Sequence, residues 1–213
     1  MKSGLDFNNI VFIATNIGYL IAGVFICYFV VRKKVSEYLS GVKRDLSVSY
    51  KIPKQAKYDI DIVRKMEQVK EIFNADRVQV YEFHNGEHYA NGRSALKVSC
   101  TYEVYRVNIE PVQTKMTSIP ISCIPHFITQ LLDEEFIKVP NVENIKDKMP
   151  STYSLQKSIG VSAYQNLIIK NDNNEPVGFV SIQWCNGNKM NSDDKELYRL
   201  AAYVEERIIN EVK

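Results

Sequence analysis

Hydrophobic positions are distributed differently along the two parts of this chain. Residues 10–31 (IVFIATNIGYLIAGVFICYFVV) are apolar on every face of a helix, and Asn16 is their only strongly polar side chain. At 1.5 Å per residue, a helix of this length spans roughly 33 Å, which matches a bilayer core of about 30 Å. The pattern predicts a single transmembrane helix at 10–31, preceded by a short non-cytoplasmic N-terminus at 1–9.

A cleaved signal peptide is the rival interpretation of the apolar run. Its apolar core would have about 7–15 residues and would be followed by a small-residue cleavage site. The run in this chain is longer, and Arg32-Lys33-Lys34 follows it directly. Such a flank is typical of an uncleaved anchor.

Charge is distributed as unevenly as hydrophobicity. Residues 32–57 contain eight Lys or Arg and two acids, whereas residues 58–213 contain 18 basic and 22 acidic side chains. By the positive-inside rule, the bulk of the chain is expected on the cytoplasmic side of the cell inner membrane. We interpret residues 32–57 as a basic juxtamembrane linker. The formal net charge of +2 gives no argument for nucleic-acid binding.

Small residues recur along one face of the apolar run. Ala14, Gly18 and Ala22 are spaced i, i+4, i+8, which allows a second helix to approach closely. This stripe predicts a homodimer. The four cysteines form no Cys-x-x-Cys pair, as expected for isolated thiols in a reducing compartment.

The pattern after residue 34 predicts helices at both ends of a second region. Residues 35–76 are helix-like, with breaks expected at Gly41 and Pro53 and an extended joint at 47–52. After Pro53, and again after an acidic start at Asp193-Asp194, apolar residues recur at helical spacing. The two apolar faces consist of Tyr58, Ile62, Met66, Val69 and Phe73, and of Leu197, Leu200, Ala201, Val204 and Ile208.

Alternating and β-branched segments between these helices predict strands. The expected strands lie at 78–83, 96–107, 136–139, 164–170 and 177–184, and short helices are expected at 125–132 and 151–158. Asn171-Asp-Asn-Asn-Glu-Pro176 is typical of a hairpin turn. The order α β β α β α β β α predicts an α+β domain with a mostly antiparallel central sheet flanked by helices.

Three segments carry a family resemblance. Residues 159–182 (IGVSAYQNLIIKNDNNEPVGFVSI), 191–202 (NSDDKELYRLAA) and 76–81 (DRVQVY) resemble, in order, marks of the GAF domain, a small-molecule-sensing relative of the PAS fold. The resemblance covers about residues 58–212, and we assign 58–213 to this domain. It implies that the first and last helices of the domain pair across a dimer, and that the opposite sheet face forms any ligand pocket. It names no ligand or cofactor.

The densest polar cluster is His84 to Ser94 (HNGEHYANGRS). Its two Asn-Gly pairs favour a pair of tight turns. A ligand-binding loop is the second interpretation, in which Arg93 holds a carboxylate or phosphate. A metal site using Glu82, His84 and His88 is the third, but their spacing on a strand or loop does not bring them together.

The candidate ligand-binding residues combine this cluster with aromatic and histidine side chains elsewhere. They are His84, Asn85, Tyr89, Asn91, Arg93, Tyr102, His126 and Trp184. For Tyr102 and Trp184, a place in the core is the alternative, and for His126 a capping or packing role. No phosphate-binding loop or nucleophile elbow is present. The cysteine that bilin-binding or sulfoxide-reducing GAF members use is also missing from its expected region.

These observations predict a membrane-anchored GAF-like sensor that is not an enzyme, has no metal and signals through a separate partner. In this hypothesis, a small ligand binds near residues 84–93 and the helix pair transmits the change toward the membrane. The main alternative is a membrane-tethered scaffold with a degenerate pocket that makes only protein contacts. A metalloenzyme using His84 and His88 is the third possibility.

Overall fold

The computed structural model describes residues 7–187, 190 and 194–211. The chain divides into two units, Met1–Gln55 and Ala56–Lys213. Helix α1 is assigned to Phe7–Ile72 and includes Pro53. The breaks expected at Gly41 and Pro53 and the extended joint at 47–52 are therefore wrong. One proline costs a helix about 3 kcal/mol, and the hydrogen bonds of the long flanking runs outweigh that cost.

The N-terminal unit leaves the membrane prediction unsupported. Within the described part of the chain, no helix has both the length and the apolar character that crossing a bilayer requires. The described side chains at 23–31 are all exposed. Ala14, Gly18 and Ala22 lie outside the residues whose side chains the structure describes.

The second unit is built on one six-stranded antiparallel sheet. The strands are β1 (Arg77–His88), β2 (Ser94–Tyr105), β3 (Ile119–Pro120), β4 (Phe136–Val139), β5 (Val161–Lys170) and β6 (Pro176–Cys185). Their order across the sheet is β3-β2-β1-β6-β5-β4. The helices are α2 (Pro125–Glu134), α3 (Pro150–Ser158) and α4 (Asp194–Glu211). The predicted α+β order is confirmed, with β3 as one additional short strand.

Each sheet face has its own apolar core. One face packs on α4 and on the last turns of α1, where Ile62, Met66, Val69 and Phe73 are all buried as their helical spacing predicted. The other face is covered by α2, α3 and short 3₁₀ turns, and its core contains Tyr81, Phe127 and Phe179. Successive strand residues alternate between these two cores, as the period of two requires.

The turn predicted in one hairpin is confirmed, and one of the two turns predicted in the other hairpin is wrong. In the β5–β6 turn, Asn171 Oδ1 accepts hydrogen bonds from the backbone N–H groups of Asn173 and Glu175, which confirms the predicted turn. In the β1–β2 hairpin, only Asn91-Gly92 lies in a turn. Asn85 and Gly86 continue strand β1, where Asn85 pairs with Leu96 of β2 and a register shift lies between Asn85 and His88. A Cβ at Gly86 would clash with the Ala95 carbonyl, so glycine serves close approach there.

Candidate functional site

A cavity lies between the end of the β1–β2 hairpin and the start of α2. We call this cavity, of ≈460 Å³, the hairpin cleft. Its polar lining consists of Arg93, Ser94, Ser122 and Thr129, together with the ring and hydroxyl of Tyr89. Its apolar lining consists of Leu96, Ile121, Pro125 and Ile128. A concave site of this size, mostly apolar with a few polar groups, is typical of small-molecule binding.

A tight turn places the two largest polar side chains of the hairpin cleft next to each other. The Tyr89 N–H donates to the Arg93 carbonyl at 2.9 Å, and the Gly92 N–H donates to the Tyr89 carbonyl at 2.8 Å. Gly92 has φ +79°, which glycine adopts without steric cost. Asn91 Oδ1 accepts a hydrogen bond from the Arg93 N–H at 3.1 Å. The Arg93 guanidinium consequently lies over the Tyr89 ring, 5.0 Å from its centroid.

The Arg93 guanidinium carries the charge of the hairpin cleft. Among the described residues, no carboxylate forms an ion pair with it, and no side chain or backbone oxygen accepts a hydrogen bond from it. The residues lining the cleft include no Asp, Glu or Lys. The cleft therefore offers one positive charge without a negative partner beside an apolar wall.

Four of the remaining candidates, His84, Asn85, Asn91 and His126, do not line the hairpin cleft. His84 is exposed on β1, and its Nε2 lies 2.8 Å from Ser99 Oγ. Asn85 is also exposed on the same strand, and Asn91 supports the turn. His126 is exposed on α2 directly after Pro125, which lines the cleft.

Tyr102 and Trp184 lie on the opposite face of the sheet. The Tyr102 hydroxyl donates to Asp59 Oδ1 at 2.7 Å, and the Tyr102 ring packs against the core under α1 and α4. Trp184 is 0% exposed, and its ring centroid lies 6.4 Å from that of Phe73. These two residues therefore do not line the hairpin cleft. The register of strand pairing decides which sheet face each side chain points to, and the sequence pattern alone did not give that register.

The apolar residues that α2 and the turn before it contribute to the hairpin cleft escaped the sequence analysis. Ile128 lies in the helix predicted at 125–132, and Ile121 lies in the segment before it. Their position opposite the hairpin depends on how α2 packs across the sheet. The one available signal was Pro125 at the first turn of α2, which marked where that helix begins.

A second, smaller cavity lies on the same sheet face. It has a volume of only ≈20 Å³, enough for one water molecule. Its polar lining consists of Thr152, Gln156, Asn166, Ser181 and Gln183. Within the described chain, Gln156 Oε1 and Asn166 Oδ1 are buried and accept no hydrogen bond. A bound donor is expected here, because an unsatisfied buried acceptor costs about 1–3 kcal/mol.

A buried ion pair anchors the loop that follows β2. Arg77 Nε lies 3.2 Å from Glu103 Oε1, and both side chains are 1% exposed. Arg77 also donates to Gln183 Oε1 and to the Glu110 carbonyl, each at 2.8 Å. The Glu103 carboxylate accepts hydrogen bonds from the backbone N–H groups of Val112 and Gln113. Both partners are thus hydrogen-bonded to further groups, while Arg77 Nε contacts Glu103 as an ion pair and has no hydrogen-bond partner among the described residues.

Groups close to this pair are held in their neutral forms. Burial raises the pKa of the Tyr81 phenol and that of the Cys100 thiol, and the nearby Glu103 carboxylate adds to both effects. Burial also raises the pKa of Cys185. A thiol that stays protonated is a poor nucleophile. Among the described residues, no group of three or more His, Cys, Asp or Glu side chains is arranged to hold a metal ion.

Comparison with known proteins identifies the fold of this chain. No protein-family model matches the sequence. No curated protein matches it either. Solved structures do match. The cyanobacteriochrome receptor PixJ aligns with a TM-score of 0.52 at 10% identity, covering 73% of this chain and 95% of that chain.

Two further structures give the same result. The PixJ GAF domain of Thermosynechococcus elongatus aligns with a TM-score of 0.53 at 11% identity, covering 73% of this chain and 85% of that chain. The chromophore-binding domain of a bacteriophytochrome from R. palustris aligns with a TM-score of 0.51 at 15% identity, covering 68% of this chain and 52% of that chain. Together with the six-stranded antiparallel sheet and its flanking helices, these alignments show that the chain has a GAF-like α+β fold.

Proposed function

We propose that this protein is a non-catalytic sensor that binds a small molecule in the hairpin cleft and signals through a separate partner. The observation that carries the proposal is the cleft itself, whose ≈460 Å³ combine an apolar wall with converging polar groups. A scaffold with a degenerate pocket would be expected to fill this space with side chains. The similar chromophore-binding domain of the bacteriophytochrome supports the class of role, a GAF-like domain that holds a small molecule.

The side chains that line the hairpin cleft support the non-catalytic role in this proposal. The described lining residues include no histidine, cysteine or carboxylate that would act as base or nucleophile. Arg93, the serines and Thr129 are suited to holding and orienting a ligand. Binding without turnover is therefore the activity that this set of side chains supports best.

Thr129→Trp is expected to prevent ligand binding in the hairpin cleft. Thr129 is exposed on α2 and lines the cleft, so a large ring at this position fills ligand space while leaving the core intact. We expect native mass spectrometry of the full chain, purified without refolding, to show a co-purifying molecule whose occupancy falls at least about tenfold in the variant.

The matched control is Asp133→Trp, an exposed position on the same helix that does not line the hairpin cleft. It should keep the co-purifying molecule. A wild-type chain that is empty and stays empty with added metabolites would contradict the sensor and favour the membrane-tethered scaffold. Equal occupancy in the two variants would contradict the cleft as the site.

A homodimer is part of the proposal. Ile60 and Val63 on α1 and Tyr198 on α4 are apolar and exposed, as expected of helix faces that pair with a second copy. The same mass spectra report the oligomeric state. A strictly monomeric full chain at micromolar concentration would overturn this part of the proposal.

Membrane anchoring through residues 10–31 is the remaining part of the proposal, with the second unit cytoplasmic. Its support is the exposed apolar surface at 23–31 and the basic residues that follow it. We expect the protein to stay in the membrane pellet during alkaline carbonate extraction. Replacing Phe25, Ile26 and Phe29 with Ser should release it, because three large apolar contacts with lipid are lost. Recovery of the unaltered protein in the carbonate supernatant would refute the anchor.

A further inference from the structure

We propose that the hairpin cleft selects a ligand with a single carboxylate attached to an apolar, ring-sized body. This inference rests on the proposed function, because it names the chemical class of molecule that the same cleft binds. It is carried by the unpaired charge of Arg93, by the make-up of the surrounding wall and by the geometry of the Arg93–Tyr89 contact.

The sign of the ligand charge follows from the charges that line the hairpin cleft. Arg93 is the only ionisable side chain among the lining residues apart from the Tyr89 phenol. Its guanidinium has no carboxylate partner among the described residues. A cation beside an apolar wall gains most from an anion, because the neighbouring wall lowers the local dielectric and strengthens the pair.

The magnitude of the ligand charge follows from the number of available donors. A guanidinium presents two parallel N–H groups that match both oxygens of one carboxylate. A phosphate monoester carries nearly two charges, and the described lining supplies no second cation or glycine-rich run of N–H groups to balance the additional charge. The hydroxyls of Ser94, Ser122 and Thr129 are neutral donors that suit a carboxylate or an ether oxygen.

The apolar body of the ligand follows from the opposite wall. The apolar lining consists of Leu96 on β2, Ile121 in the 3₁₀ turn before α2, and Pro125 and Ile128 on α2. Leu96 remains 47% exposed without a ligand, so a bound ring or chain would remove apolar surface from water. Burial of such surface contributes about 25 cal/mol per Å², which makes a purely polar anion a poor occupant.

Tyr89 orients the guanidinium for this task. The Arg93 guanidinium carbon lies 5.0 Å from the Tyr89 ring centroid, and the turn hydrogen bonds hold both residues on the same side of the hairpin. Stacking on an aromatic ring restricts the planar group, so less side-chain entropy is lost when a carboxylate binds. Tyr89 is therefore a positioning residue and Arg93 the charge-recognising residue.

The test uses two probes of the same shape, 2-naphthoate and its uncharged amide, 2-naphthamide. Each is titrated by calorimetry into the full chain in lipid nanodiscs, with empty nanodiscs as the blank for partitioning. Wild-type protein is expected to bind 2-naphthoate at least about tenfold more tightly than 2-naphthamide, which corresponds to one charge-assisted bidentate contact. Arg93→Gln should bring the two affinities to within about twofold, and Arg93→Lys should restore only part of the difference.

Rising salt supplies a second readout. The preference for 2-naphthoate should shrink when NaCl is raised from about 0.05 to about 0.5 M, because the screening length falls from above to below about 10 Å. The affinity for 2-naphthamide should not fall, because this probe carries no charge. Arg64→Gln, an exposed arginine on α1, is the matched control and should leave both affinities unchanged.

The outcomes separate the inference from the proposed function. Equal binding of both probes that Arg93→Gln does not change, but that Thr129→Trp abolishes, would overturn the anionic ligand and keep the cleft as a site. Binding of both probes that Thr129→Trp leaves unchanged would overturn the hairpin cleft itself and the inference with it. Retention of the 2-naphthoate preference in Arg93→Gln would assign charge recognition to another group and overturn the inference.

Discussion

Arg77→Met is expected to destabilise the second unit by about 3–5 kcal/mol. The substitution leaves the Glu103 carboxylate buried with its charge uncompensated, since both side chains are 1% exposed. It also removes the hydrogen bonds to Gln183 and to the Glu110 carbonyl. Urea unfolding followed by fluorescence of Trp184, the single tryptophan in the chain, measures the loss.

Two further variants test the physical reason. In the Arg77→Met background, Glu103→Gln should recover part of the lost stability, because it removes the unpaired charge while keeping an acceptor for the Val112 N–H. Arg64→Met is the surface control. Arg64 pairs with Asp61 at 3.6 Å and is 74% exposed, so its loss should change the unfolding free energy by less than about 0.5 kcal/mol. Similar losses in the Arg64 and Arg77 variants would contradict the importance of burial.

Trp184→Ala is expected to cost about 3–5 kcal/mol through the cavity it leaves in the core beneath α1 and α4. It should not weaken binding of 2-naphthoate at temperatures where the variant remains folded, because Trp184 lies on the sheet face away from the hairpin cleft. Thermal unfolding by circular dichroism gives the stability, and the calorimetric titration gives the affinity.

Trp184→Phe provides a milder version of the same test. It keeps an aromatic ring in the core and removes the indole N–H, which is buried without a hydrogen-bond partner among the described residues. We expect a smaller loss than for Trp184→Ala. Tyr198→Ala, on the exposed side of α4, should cost less than about 1 kcal/mol. If the Trp184→Ala protein kept nearly normal stability but no longer bound ligand, the result would contradict a core role and indicate that Trp184 contributes to ligand binding.

Local pattern was enough for most of the elements. The strand at Phe136–Val139 and the two main helical faces were predicted because alternation and helical spacing reflect which side of an element is buried. The hairpin at 171–175 was predicted because asparagine side chains make the turn hydrogen bonds within the same short segment. Such features depend on interactions between residues that are close together in the sequence, so a local pattern is enough to predict them.

Features that depend on distant residues were not predictable in this way. The strand that contains Asn85 and Gly86 is paired with β2, a separate segment of the chain, and local turn preference therefore predicted the wrong structure there. The helical state of Pro53 similarly depends on long flanking runs that outweigh one lost hydrogen bond. The buried partnership of Arg77 and Glu103 joins strands through a pairing that no motif marks.

For the candidate site, the sequence by itself identified the charge and the turn. Arg93 beside Asn91-Gly92 stood out because its residue types have strong intrinsic preferences. Only the tertiary structure decided which wall faces that charge, and it placed Ile121 and Ile128 opposite Arg93 while it turned Trp184 to the other core. The reason is physical. Burial and cleft formation arise from packing between segments far apart in the chain, whereas charge and turn preference belong to the residues themselves.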